Sequence, residues 1–246
     1  MIDLVHAGPA MATAFLASSV EAVEAATVVL AAGVVRGWRS ALSGAIAALA
    51  ALAVMVAAFG TTIAAIPIAT LQVVVGTLLL LFGLRWLRKA MLRSVGVIEL
   101  RDEDALYERE QQALGAYPGA RQGRWDPIAA LTAFKAVTLE GIEVIVIVIG
   151  IGAAGNMLVP ATVGAIAACI AVAVAAALLN RPLARVPENS LKFAVGIMVS
   201  AFGLFWFGEG VGVPWAYGDA TILALMALLL TAASLGIRVS RRQGVA

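Results

Sequence analysis

Two stretches decide the fold. Leu71-Gln-Val-Val-Val-Gly-Thr-Leu-Leu-Leu-Leu-Phe-Gly-Leu-Arg-Trp86 aligns with Leu191-Lys-Phe-Ala-Val-Gly-Ile-Met-Val-Ser-Ala-Phe-Gly-Leu-Phe-Trp206 at an offset of 120. Seven of the sixteen positions are identical: Leu71/Leu191, Val75/Val195, Gly76/Gly196, Phe82/Phe202, Gly83/Gly203, Leu84/Leu204 and Trp86/Trp206. No alanine inflates that score. Upstream, Gly44-Ala-Ile-Ala-Ala48 matches Gly164-Ala-Ile-Ala-Ala168 at the same offset. One residue less, at 119, places Phe15, Glu21 and Glu24 on Phe134, Glu140 and Glu143. The chain is therefore an internal repeat.

Composition says where the repeat resides. Of 246 residues, 62% are hydrophobic and 13% are charged, against roughly 25% charged in an average soluble domain. Mean hydropathy is +0.99. A chain this apolar reads as a polytopic membrane protein. Runs long enough to span ~30 Å of hydrocarbon as helix fall at about 10–35, 39–60, 67–90, 127–152, 159–180, 189–208 and 219–238. The expected fold is all-α, with seven transmembrane helices. Two glutamates interrupt the first run and no basic stretch precedes it, so it reads as a mature helix rather than a cleaved signal. Turn residues separate the runs: Gly37, Pro67, Asp126-Pro127, Gly155-Asn156, Pro160, Pro187, Pro214 and Gly218.

Each repeat holds three spans. Three is odd, so the second copy enters from the opposite face and is inverted, as in many secondary transporters. The segments expected are 1–93 (first repeat), 94–126 (cytoplasmic connection), 127–210 (second, inverted repeat) and 211–246 (seventh helix and tail). The seventh helix has no counterpart and reads as a packing or homo-oligomer contact. With seven crossings, sixteen of the seventeen cations fall on one face: Arg36, Arg39, Arg85, Arg88, Lys89, Arg93, Arg101, Arg109, Arg121, Arg124, Arg181, Arg185, Lys192, Arg238, Arg241 and Arg242. The positive-inside rule then puts the N-terminus outside and the C-terminus in the cytoplasm, in a cytoplasmic (inner) membrane. Lys135 is the exception, two turns inside the fourth span. Residues 99–114 of the connection carry closely spaced opposite charges and read as a solvated surface helix, with Asp102, Glu103 and Asp104 a weak metal candidate.

The four glutamates matter most. Ser19-Val-Glu21-Ala-Val-Glu24 lies midway along the first span and Thr138-Leu-Glu140-Gly-Ile-Glu143 midway along the fourth. Spacing i, i+3 puts each pair on one helix face. Placing four such charges at mid-membrane costs about 10 kcal/mol even on the lenient insertion scale. Glutamine or serine would tie helices together at less expense. A carboxylate cage for a cation accounts for the arrangement, and oxygen-only donors suit hard ions such as iron, Mg²⁺, Ca²⁺ and Mn²⁺. A single cysteine, Cys169, and a single histidine, His6, exclude thiolate clusters and His-rich sites. No Glu-x-x-His pair suggests an intramembrane oxidase, so no enzyme is expected.

At these residues the chain resembles the high-affinity iron permease family, the oxidase-coupled ferric permeases and their bacterial relatives. The resemblance covers the whole topology: seven helices, N-terminus out, with an Arg-Glu-x-x-Glu motif on the first and fourth. Glu21, Glu24, Glu140 and Glu143 match its glutamates, while Val20 and Leu139 stand where it has arginine. The resemblance implies iron as the transported substrate and an accessory oxidase or metal-donor protein as partner. There is a looser similarity to cation exporters with carboxylate motifs on the first helix of each inverted repeat.

The expected function is a secondary transporter of a hard metal cation, iron first, through Glu21, Glu24, Glu140 and Glu143. The alternatives are a proton-coupled Mn, Ca or Mg exporter and a non-transporting membrane subunit. The expected partners are the lipid bilayer and the metal substrate. No tightly bound cofactor and no nucleic acid is expected. Ser19 and Thr138, equivalent hydroxyls two residues before each motif, read as groups of the path or as back-bonded to their own helices. Lys135 reads as a snorkelling cation, or as a counter-charge at the inner exit. Trp38, Trp86, Trp125, Trp206 and Trp215 fall near span ends and read as interfacial belts.

Overall fold

The computed structural model describes residues 4–63, 67–100, 102–118, 125–153, 157–179 and 188–242. Among them are eight α-helices: α1 (Leu4–Arg36), α2 (Trp38–Ile63), α3 (Ile68–Ser94), α4 (Glu103–Ala116), α5 (Pro127–Ala153), α6 (Leu158–Leu179), α7 (Glu188–Gly210) and α8 (Thr221–Arg242). The turns read at Gly155-Asn156 and Pro187, and the cations Arg101, Arg121, Arg124, Arg181 and Arg185, lie outside the described residues, as do the side chains of His6 and Glu103.

Breaks between helices have local causes. Gly37, at φ 122°, takes the left-handed turn between α1 and α2 that a side chain would resist. Asp126 starts α5: its Oδ1 accepts from the backbone N–H groups of Ile128 (2.8 Å) and Ala129 (3.3 Å), and Pro127 follows at the first helical position. Asp102 caps α4 in the same way, accepting from Asp104 and Ala105.

Six helical stretches are long and apolar enough to cross a membrane: Ala10–Arg36, Trp38–Ala58, Ile68–Ser94, Leu158–Leu178, Asn189–Gly210 and Gly218–Arg242. α5 is as long, at 27 residues, but Lys135, Glu140 and Glu143 interrupt its middle. α7 is the most enclosed of the six and α8 the least. The outward faces of α2, α6 and α8 present Ile46, Leu49, Val54, Val163, Ile170, Leu178, Leu223 and Leu228. Such apolar exposure suits a surface bathed in lipid.

The main core cluster joins α1, α3, α5, α6 and α7 through Ala14, Ala17, Val75, Leu79, Ile147, Ile151, Ala161, Val195, Val199 and Phe205. Trp86 and Trp206 belong to it, at 4% and 2% exposure. These two tryptophans are therefore core residues and not belt anchors, because each lies on the face where α3 meets α7. Trp38 and Trp125 are exposed as expected.

Small residues let backbones meet, as association in lipid requires. A Cβ on Gly76 would strike the backbone of Gly203 and Phe207, and one on Gly196 that of Gly83 and Leu87. Gly44 of α2 abuts the Ala130 backbone of α5, and Gly164 of α6 abuts the Met11 backbone of α1. Each member of these pairs of contacts becomes the other when residue numbers move by 119 or 120. α1 thus packs on α6 as α5 packs on α2, and each half of the sequence lies against the other.

One polar junction closes an end of the bundle. Arg36 is 2% exposed and reaches Asp126 Oδ2 at 2.8 Å. Its Nη1 donates to the carbonyls of Leu114 (2.8 Å), in the last turn of α4, and Tyr117 (3.1 Å), just past it. Ser40 Oγ accepts from the Asp126 backbone N–H at 2.7 Å. Of the solvated helix read at 99–114, the part from Glu103 onward exists as α4, which runs on to Ala116, and this arginine ties it to α1 and α5.

Candidate metal centre

α1 and α5 run antiparallel, with Arg36 beside Asp126 at one end and Glu21 beside Glu140 midway. The i, i+3 spacing then turns Glu21 and Glu24 toward α5 together. Carboxylate oxygens of Glu21, Glu24 and Glu140 all lie within 4.8 Å of one another. Gly141, in the α5 motif, abuts the end of the Leu52 side chain of α2, which would have to shift to admit a Cβ there.

The three acids differ in surroundings. Glu21 is 1% exposed, and its Oε1 has no hydrogen-bond partner among the described residues. Glu24 Oε1 is ion-paired with Nζ of Lys192, from the second turn of α7. Lys192 is 5% exposed, and its ammonium also stands 5.7 Å from the centre of the Trp86 ring. An ion centred among three oxygens at most 4.8 Å apart sits no more than about 2.8 Å from each, within a few tenths of the 2.3–2.6 Å of Ca²⁺–oxygen bonds. Small rotamer shifts would close that gap.

Glu143 stands apart. Its Oε1 lies 3.8 Å from Nη1 of Arg85 on α3, a residue 59% exposed at its side chain. Three of the four motif glutamates therefore converge, and the fourth faces a cation. Lys135 is exposed on α5; Lys192 stands on Glu24 and Arg85 on Glu143. At the positions where the permease motif carries arginine, Val20 is buried and Leu139 is 53% exposed.

Of the paired hydroxyls, Ser19 Oγ donates to the Phe15 carbonyl at 2.7 Å, so it is back-bonded to its own helix. Thr138 Oγ1 is buried with no hydrogen-bond partner among the described residues, as is Ser18 Oγ beside Ser19. Thr77 is back-bonded to Val73. Glu209 accepts from Nε2 of Gln72 at 3.0 Å.

Sequence reasoning missed Lys192 and Ser18. Ser18 carries no sequence signal that separates it from any serine in an apolar helix. Lys192 does: it aligns with Gln72, so both third helices carry a polar residue at one register position of an apolar repeat. A comparison with protein-family models, with curated proteins and with solved structures finds no match to this chain.

Proposed function

We propose that this protein is a secondary transporter of a hard metal cation, with iron as the first candidate, across the cytoplasmic membrane. The observation that carries the reading is the cluster of Glu21, Glu24 and Glu140 carboxylates within 4.8 Å, one oxygen of it buried and unpartnered. A buried acid oxygen without a partner is costly. A cation among the carboxylates offsets that cost, and oxygen donors select hard ions. Iron ranks first on the family resemblance of the motif glutamates.

The reading treats α5 as a seventh crossing and the halves as inverted repeats, with the N-terminus outside. Reciprocal contacts at Gly44 and Gly164, and at Gly76 and Gly196, support the repeat. Glu21 and Glu140 sit at equivalent positions of the two halves, so the site lies where the repeats meet. Formally three carboxylates and one ammonium leave a charge of −2 around the cargo. No nucleotide motif accompanies the site, so a proton or ion gradient, the membrane potential or a partner supplies the energy.

A second reading has its own support: the Lys192–Glu24 and Arg85–Glu143 pairs are ties between helices, as in a non-transporting subunit. Reconstitution into vesicles separates the two. Transport predicts uptake of radioactive iron, manganese or calcium that disappears in Glu21→Gln. Equal leakage with and without the wild-type protein, for all three ions, would defeat the proposal.

A further inference from the structure

Lys192 is a buried cation at this site. Its ammonium lies inside the bundle with its carboxylate partner, Glu24, itself a member of the cluster. A buried ion pair contributes little net stability, because stripping water from both charges offsets their attraction. The chain has a cheaper way to hold a glutamate here: at the equivalent position of the other half, the neutral amide of Gln72 donates to Glu209. A lysine in this register needs another reason.

We propose that Lys192 is a tethered counter-cation of the carboxylate site, which trades places with the transported metal on Glu24. This rests on the transport reading above and specifies how its site works. Three features fit a side chain that moves while its helix does not. Lysine has a long flexible stem and a compact charge. α7 is clamped to α3 by backbone contacts at Gly76, Gly83, Gly196 and Gly203, so the helix itself is fixed. The Trp86 ring, 5.7 Å from the ammonium, offers a second resting place once Glu24 is taken. Cargo and lysine therefore alternate on one carboxylate, and the carrier can reset with Lys192 standing in for the ion.

The test compares wild type, Lys192→Gln and Lys192→Arg in anaerobic Fe²⁺ titrations, with Mn²⁺ in parallel. Removing the internal competitor tightens metal binding in Lys192→Gln by about tenfold. In vesicles the same variant keeps metal-for-metal exchange and loses net uptake, because its reset lacks a counter-cation. Lys192→Arg keeps the charge and stays near wild type in binding. Lys192→Met carries the same readout where Lys192→Gln fails to fold. Unchanged or weaker binding in the neutral variants, beside a wild type that binds, overturns the exchange and leaves the metal site standing. A wild type that binds neither ion overturns the metal site itself.

Discussion

Glu21→Gln separates a cation site from a polar tie. The substitution keeps volume and shape and removes one charge from a side chain 1% exposed. A divalent ion no more than about 2.8 Å from a Glu21 oxygen gains at least about 12 kcal/mol of gross attraction at an effective dielectric of ~20. Dehydrating the ion offsets most of it. Truncating one partner of a desolvated charge pair costs about 2–5 kcal/mol in practice, which is about 30-fold to several-thousandfold in Kd. The fold responds in the opposite sense. An acid oxygen without a partner is replaced by an amide able to donate to the neighbouring carboxylates, so Tm without metal stays level or rises. Calorimetric metal titration and thermal unfolding on the same purified sample read both quantities. Wild-type affinity in the variant refutes the cage. A fall in Tm of more than about 5 °C, of order 1–2 kcal/mol for a chain this size, refutes it too, because Glu21 would then be a structural tie.

The other expectations come from the same geometry. Glu143→Gln should weaken metal binding by no more than about tenfold, far less than Glu21→Gln, since Glu143 faces Arg85 outside the cluster; equal losses in parallel titrations would mean all four acids hold the ion. Arg36→Met should destabilise by about 3–5 kcal/mol by stranding a buried Asp126, seen as a lower Tm. Adding Asp126→Leu should recover most of it except the helix cap, worth about 1 kcal/mol. Gly83→Ala drives a Cβ into Ser200 and should cost about 1–3 kcal/mol. Gly115→Ala meets nothing within 4 Å and should be neutral or stabilising by up to ~1 kcal/mol in the same thermal assay.

Much of the site was legible because a charge within an apolar run is conspicuous and its depth follows from its distance along the helix. That is how Glu21, Glu24, Glu140 and Glu143 stood out. Depth is not direction, however. A helix apolar all round gives no sign of which face meets which neighbour. Arg36, Lys192, Trp86 and Trp206 were all placed near helix ends, where cations and tryptophans ordinarily meet the membrane surface. Each instead points into the bundle, a matter of angle around the axis. The glycines escaped this ambiguity. Gly76 and Gly83 on α3, and Gly196 and Gly203 on α7, are each seven residues apart and so share one helix face, and those faces meet.

That pairing sets a timetable for synthesis. α3 ends at Ser94 and its partner α7 begins at Glu188, so 93 residues must be made in between. At 5–20 residues per second the glycine face of α3 waits about 5–20 s for its cover. α1 waits similarly for α5 and α6. The first half is thus made before the helices that cover it. A ribosome that stalls between these points leaves a membrane fragment with a bare glycine face and with Glu24 lacking Lys192.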